Sequence, residues 1–444
     1  MHKETVTIKK LVNGGFGLGH LPSKQVVLVQ FGLPGENLIV TTQESKKNYL
    51  LAKIHQIEKN HPARIPPPCK YYGECGGCNL QHCDYDAQLT FKKDILVDLL
   101  LRQKIITTEE VDDTVNSVIG SPEPYHYRQR IRLKIKDDDK LGFNRFRSHE
   151  IIEIRQCLLA KPSINNTLEA LKIHDETFDL LGLSTELELQ QNPATDKVSC
   201  LFNFTRRPRP SDLKTAAKLC SEIESIDRIF FTGEDFPIVG PIVAKVDEAN
   251  SFLTVHYPKI KGIQNPLELN WEAGGFCQVN LSQNKTMIET VLGFCNIGAE
   301  NSVLDLYCGM GNFAIPLSTL AENVLGIEGQ GSSIRCAQHN AATAQASNTT
   351  FRKLPVHKGC ETLIAKGEKF DCIIIDPPRQ GAPELAHQLS RLCSKRLVYI
   401  SCDPATLCRD LKAITNEGFS IKTIQPLDMF PQTHHIETVV LLEK

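Results

Sequence analysis

The chain has 444 residues, of which 23% are charged, and a net charge of −2. That length exceeds one ordinary hydrophobic core and implies two or three domains. No run approaches the ~20 uninterrupted apolar residues of a membrane span.

The opening MHKETVTIKK lacks the apolar stretch of a secretory signal, so a cytoplasmic protein is expected. In that compartment sixteen cysteines point to metal or catalytic chemistry rather than disulfides. Residues 1–70 carry ten Lys/Arg against four Asp/Glu, a balance of +6 that leaves −8 on the rest. A basic module on a mildly acidic body fits a polyanionic partner. Within it, Val6–Ile8, Val26–Gln30, Leu38–Thr42 and Leu50–Gln56 read as short strands, separated by the Gly-rich NGGFGLGHLP and the turn LPGE. A small barrel of the oligonucleotide-binding type is the natural closure. The Gly-rich opening and the PGE turn resemble those of a TRAM domain, which implies an RNA-binding barrel over residues 1–61. HPARIPPP (61–68) then reads as an extended Pro-rich linker.

A central unit, 69–262, opens with CKYYGECGGC. Cys69, Cys75 and Cys78 fall in a C-x5-C-x2-C pattern, and the glycines let the backbone wrap tightly with amide N–H groups free to face sulfur. A fourth ligand is needed, and Cys83 and Cys157 are the candidates. Zinc held by four thiolates and an iron–sulfur cluster are the rival occupants. The spacing is neither the paired C-x2-C of common zinc sites nor the C-x3-C-x2-C of radical-generating clusters. Gln88–Lys104 has apolar residues at 89, 91, 95, 96, 99 and 100, an amphipathic helix. In YHYRQRIRLKIK (125–136) a period of two puts Arg128, Arg130, Arg132, Lys134 and Lys136 on one face and Ile131, Leu133 and Ile135 on the other. Such a row repels itself unless an anion meets it. Either it is an edge strand protected by charge, or it contacts RNA together with Arg145, Arg147 and RRPRP (206–210), with Tyr125, Tyr127 and Phe146 available to stack on bases.

From Gln264 strands and helices alternate. Val303–Tyr307 is a buried strand followed by CGMGN and a helix, a turn that lets backbone approach a ligand at the helix N-terminus. Val324–Glu328 ends in Glu328, placed to bind a ribose diol. Only the first half of G-x-G-x-x-G is present, which suits a nucleoside such as S-adenosylmethionine better than a dinucleotide. Asp371–Asp376 precedes PPRQGA and brings Asp376 to the same crevice.

The last stretch begins LVYISCDPATLCRDL and closes MFPQTHHIETVVLLEK. Leu397–Ser401 reads as a strand with Cys402 at its end, Pro404 opens a helix, and Ile436–Leu442 is a second strand with Glu437 at its start. A thiol ending one strand and a carboxylate starting another share a pocket only if those strands run antiparallel. A lone Cys after a strand is usually a small core residue, so the pair takes its weight from the crevice upstream.

FCQVN (276–280), LDLYCGMGNF, GIE, DPPRQG, SCDPAT and HHIE together resemble the RNA uracil-5-methyltransferases, particularly the ribosomal-RNA branch with a TRAM domain and an iron–sulfur cluster. The likeness spans essentially the whole chain. It implies a class I methyltransferase sheet, α/β and Rossmann-like, over 263–444, with its last strand antiparallel. It implies a 4Fe–4S cluster on Cys69, Cys75, Cys78 and Cys157, leaving Cys83 as an extra. Around S-adenosylmethionine it places Gln278, Tyr307, Asn312, Glu328 and Asp376, and it makes Cys402 the nucleophile and Glu437 the general base. The implied partner is RNA, ribosomal or transfer, bound by a monomer. Rival activities are methylation of cytosine C5, methylation of an exocyclic amine, which would need neither Cys402 nor Glu437, and RNA binding without catalysis.

Overall fold

The strands of the computed structural model, which describes residues 3–136, 140–243 and 251–444, form a closed barrel, two seven-stranded sheets and a two-stranded pair. In the barrel, β1 (Lys3–Val12), β2 (Phe16–His20), β3 (Val26–Gln30), β4 (Asn37–Ser45) and β5 (Leu50–Lys59) close in the order β1-β2-β3-β5-β4. The period of two buries Val6, Ile8, Val27, Val29, Leu38 and Val40. The sequence reading lacked β2, whose FGLGH has little strand propensity. Its glycines serve close approach instead: a Cβ on Gly19 would lie 2.4 Å from Val6 Cγ2. The Pro-rich linker is not free. Arg64 pairs at 2.5 Å with the fully buried Glu36 and donates to the Phe31 carbonyl, strapping the segment to the barrel.

The central sheet holds β6 (Arg130–Ile135), β7 (Leu141–Asn144), β8 (Ile151–Glu153), β9 (Ser184–Gln191), β10 (Val198–Phe204), β11 (Ile226–Gly233) and β12 (Phe236–Ile242), in the order β12-β11-β10-β9-β6-β7-β8. On β6 Ile131 and Leu133 face the core, as their period demands. The cations opposite are met from within the protein. Arg132 lies 2.8 Å from Glu188, Lys134 pairs with Glu186, and Arg130 donates to the Gly275 carbonyl at 2.9 Å. Both glutamates sit directly across the ladder on β9. The self-repulsion expected of the row is therefore relieved at Arg132 and Lys134 by the neighbouring strand, without an outside anion.

β13 (Phe252–Tyr257) and β14 (Leu267–Glu272) pair with each other and share a core with the C-terminal sheet, Leu253 and Trp271 packing with Val291, Ala314 and Val398. The helix Tyr85–Arg102 likewise buries Leu96 and Leu100 beside Leu411 and Ile424. Each such side chain contributes roughly 1.5–3 kcal/mol. Packing thus crosses the division drawn at 262/263.

The C-terminal sheet contains β15 (Ser302–Leu306), β16 (Asn323–Glu328), β17 (Thr349–Lys353), β18 (Phe370–Ile375), β19 (Cys393–Ser401), β20 (Ser420–Leu427) and β21 (Glu437–Glu443). Their order is β17-β16-β15-β18-β19-β21-β20, with β15 to β19 parallel and β21 antiparallel to both neighbours. Strand order reverses between β15 and β18, so a ligand crevice opens at their carboxyl ends. Among the described residues no helix is long and apolar enough to cross a membrane.

Candidate active site

The crevice is lined by acids arriving from three parallel strands. After β15 the chain turns at Tyr307 (φ +60°) and Gly309 (φ +54°), where an added Cβ would meet only open space. Glu328, at the end of β16, accepts the N–H of Gln330 at 2.7 Å and of Gly309 at 3.3 Å. The two amides hold its carboxylate beside the glycine turn. Beneath it, Asp305 is fully buried, and neither carboxylate oxygen has a hydrogen bond of ordinary geometry. Burial, then the nearby Asp376 and Glu328, push Asp305 well above the usual carboxylate range. Burial pushes Asp376 up to about 7. A buried, unpaired Asp305 with Asp376 close by, beneath an open glycine turn, fits a cationic nucleoside, whose positive charge would favour their ionised form. Asn312 is held by Asn284 through reciprocal amide bonds of 2.9 and 3.0 Å. Gln278 is fixed through its carbonyl, which accepts from Gln129. Two residues on, Asn280 caps the helix Leu281–Cys295 and donates to the Met429 carbonyl.

The antiparallel geometry demanded by Cys402 and Glu437 is met. The ladder between β19 and β21 ends with Ser401 opposite Thr438, and the next step in register brings Cys402 and Glu437 together. Glu437 is 4% exposed, and burial, reinforced by Asp376 and opposed by Arg379, raises it well above the carboxylate range. Cys402 is pushed up to about 12, first by burial, then by the Glu437 carboxylate, with Arg379 opposing. The helix N-terminus after Cys402, a feature that can favour a thiolate, is already engaged: Asp403 accepts the Ala405 and Thr406 N–H groups, each at 2.9 Å. Arg379 is the nearby cation instead, and sequence reading missed it. Its loop is fastened by Asp410, which accepts the Ala382 N–H at 2.7 Å and the Tyr399 hydroxyl at 2.5 Å.

The segment before Glu437 is pinned by buried polar groups. Lys92, inside the helix Tyr85–Arg102, pairs at 2.5 Å with Asp428, both fully buried, and also donates to the Phe430 carbonyl. Gln88 bonds Gln432 twice, at 3.0 Å each. These residues were also missed, because a Gln and a Lys one helical turn apart look like solvent-facing positions. Burial pushes His434 down to about 4 and His435 to about 3, so both are neutral and weakly basic.

Cys69, Cys75, Cys78 and Cys157 line one cavity of about 820 Å³ together with Arg128. Cys78 is pushed up to about 12 by burial and then by Cys157, so the distant cysteine reaches the loop. Asn165 clamps Cys157 at both its N–H (2.8 Å) and its carbonyl (3.0 Å), and the Gly77 N–H points at the Cys75 sulfur (3.4 Å). Cys83 stands apart, packed with Leu11, Leu33 and Leu80. A single zinc ion would gather four sulfurs to within about 4 Å of one another. Among the described residues the only trio of such groups within 4.8 Å is His174, Glu176 and Glu222. Its two glutamates already pair with the Lys218 ammonium.

The sequence profile described as tRNA (Uracil-5-)-methyltransferase matches residues 263–444, and that of the TRAM domain matches 3–55. A 23S rRNA (uracil(1939)-C(5))-methyltransferase RlmD from Shewanella halifaxensis is 33% identical, the alignment covering 99% of this chain and 96% of the relative. An uncharacterized RNA methyltransferase from Thermotoga maritima is 32% identical over 99% of both chains. Among solved structures, the Pyrococcus abyssi tRNA (uracil-54, C5)-methyltransferase in complex with S-adenosyl-L-homocysteine superposes with a TM-score of 0.71 at 25% identity, over 98% of this chain and 99% of that one.

Proposed function

This chain belongs to the S-adenosylmethionine-dependent RNA (uracil-5-)-methyltransferases that carry a TRAM domain, and on that premise we propose that it methylates a uridine of 23S ribosomal RNA, with Cys402 as nucleophile and Glu437 as general base. The observation that supports the mechanism is the antiparallel register of β19 and β21, whose last pair, Ser401 and Thr438, is followed by Cys402 on one strand and preceded by Glu437 on the other.

Uracil C5 is a poor nucleophile. Addition of the Cys402 sulfur to C6 breaks the C5=C6 π bond and moves its electron pair into an enolate centred on C5. S-adenosylmethionine supplies the electrophilic methyl group that C5 takes. C5 then carries both methyl and hydrogen. Glu437 removes that proton, the C–H pair re-forms C5=C6, and the Cys402 thiolate leaves. Both groups must be anionic for this, and burial opposes the anion in each. Arg379 favours the anions, and a cationic ligand beside Asp376 would offset the charge that opposes them. Glu328 would hold the ribose hydroxyls, with Gln278, Tyr307, Asn312 and Asp376 completing the pocket. The target base must leave its stack to reach Cys402.

The ribosomal target is supported by full-length relatives named for 23S rRNA, whereas the Pyrococcus abyssi structure favours transfer RNA. Incubating the enzyme with methyl-labelled cofactor and either 23S rRNA or tRNA transcripts separates them. Label in 23S rRNA at one mapped uridine is expected, and label confined to tRNA would overturn the assignment.

The four clustered cysteines fit a 4Fe–4S cluster better than zinc, because their sulfurs share a cavity without the tight approach that one ion requires. Cys69, Cys75, Cys78 and Cys157 would be its ligands, with Arg128 offsetting thiolate charge. Bound there, it would crosslink the loop at 69–78 to the segment after β8.

A further inference from the structure

The cysteine loop does not end at its last thiol. Asn79, the residue after Cys78, reaches the segment that delivers Glu437, and its backbone N–H and both polar atoms of its side chain are engaged there or beside it. Its backbone N–H and that of Leu80 both donate to the Gln432 carbonyl, at 3.1 and 3.0 Å. Its side-chain oxygen accepts the His434 N–H at 2.8 Å. Its amide nitrogen lies 2.7 Å from His434 Nδ1 and donates to the Gly14 carbonyl at 3.2 Å. Gln432 itself sits at φ +68°, a conformation that costs a non-glycine residue about 1 kcal/mol and persists only when its surroundings hold it.

We propose that Asn79 is a positioning residue for proton abstraction, and that through it the cysteine loop braces the segment carrying Glu437. The inference rests on the reading of Glu437 as base. The helix Tyr85–Arg102 pins the start of this segment through Lys92 and Gln88. Asn79 pins its end, three residues from Glu437, where a small shift moves the carboxyl group most directly. The same side chain ties the barrel's Gly14 turn to the site, so one residue joins three parts of the fold. Because Asn79 follows a thiol of the loop, whatever fixes Cys78 fixes the brace. Removing the group shared by the four cysteines should therefore loosen residues 431–437 without unfolding the sheet, whose ladders do not depend on the loop.

The test compares Asn79→Ala and Asn79→Asp with wild type, each anaerobically purified with its cluster. Asn79→Ala should lower kcat by about 10- to 100-fold, with S-adenosylmethionine affinity, iron content and single-turnover methyl transfer within about twofold of wild type. Methylated RNA should accumulate covalently on Cys402, because release is what slows. Asn79→Asp keeps the acceptor for the His434 N–H and should fall between the two. Amide hydrogen exchange at 431–437 should quicken in Asn79→Ala, and equally in wild-type protein stripped of iron, a readout that needs no turnover. Unchanged kcat, or equal losses in methyl transfer and release, would overturn the positioning role. Unchanged exchange in the iron-free protein would overturn the brace. If Glu437→Gln stalls with an adduct while Asn79→Ala does not, only this inference fails. If Glu437→Gln gives no adduct, the base assignment fails first.

Discussion

Cys402 and Cys78 are both thiols pushed up to about 12, with burial the first cause in each. What surrounds them differs. Cys402 stands at the end of a strand hydrogen-bonded on both sides, and its charged neighbours are two carboxyl groups and Arg379. Cys78 stands in a loop, and its neighbours are other thiols and Arg128. That loop is held by turn bonds such as Cys75 N–H to the Tyr71 carbonyl and by scattered links to other segments, among them Gly76 N–H to the Asn144 carbonyl and Phe146 N–H to the Glu74 carbonyl, with no ladder of its own. A site built on strand register keeps its geometry alone. A site built on a loop of thiols depends on what those thiols share.

The largest effect should come from taking away one shared ligand. Cys157→Ala should purify colourless, whereas wild type and Cys83→Ala should each hold about four iron and four sulfide per chain. Stoichiometric zinc with no iron would erase the contrast between the two regions. On the strand side, Glu328→Ala should weaken S-adenosylmethionine binding about 10- to 100-fold through the loss of charge-assisted bonds worth roughly 1.5–3 kcal/mol. Calorimetry should show RNA affinity unchanged, and equal loss of both would mean that the crevice had collapsed.

These contrasts also explain what could be read from the chain. The barrel follows from period-two burial, the parallel sheet from short unbroken apolar runs buried on both faces, and strand ends project their side chains predictably. β2 escaped because glycines were chosen there for closeness, not propensity. Gln88, Lys92, Asn79 and Arg379 escaped for a different reason: each matters through a partner remote in sequence, such as Asp428 for Lys92. The row of cations on β6 did not reveal its counter-charges, since Glu186 and Glu188 arrive from β9.

A moderate effect concerns pH. Burial raises Glu437 in the folded state, so the unfolded chain ionises it first. Stability is full below the ordinary glutamate value near about 4.3 and is lost as pH rises toward the raised one. Glu437→Gln removes that loss, and its melting temperature should exceed wild type by a few degrees at pH 8 and by almost nothing at pH 4. A constant difference across pH would mean that the carboxyl group is not the cause.

The smallest effect lies at the rim of the cysteine cavity. Arg147 is exposed, pairs with no carboxylate among the described residues, and lies 5.3 and 5.4 Å from the Phe16 and Phe146 rings. Arg147→Ala should lower the salt slope of RNA binding by about 0.7, one single-strand phosphate contact. Arg132→Ala, already paired with Glu188, should leave the slope alone.

The central claim is that thiol and carboxyl group divide the reaction between addition and elimination. Glu437→Gln should be incubated with target RNA and methyl-labelled S-adenosylmethionine and run on a denaturing gel, beside Glu437→Gln carrying Cys402→Ala. The single variant should still add and methylate but fail to eliminate, leaving labelled RNA covalently attached to protein, and the double variant should show no such band. Wild-type turnover by Glu437→Gln, or no adduct from a variant that binds both substrates, would contradict the account.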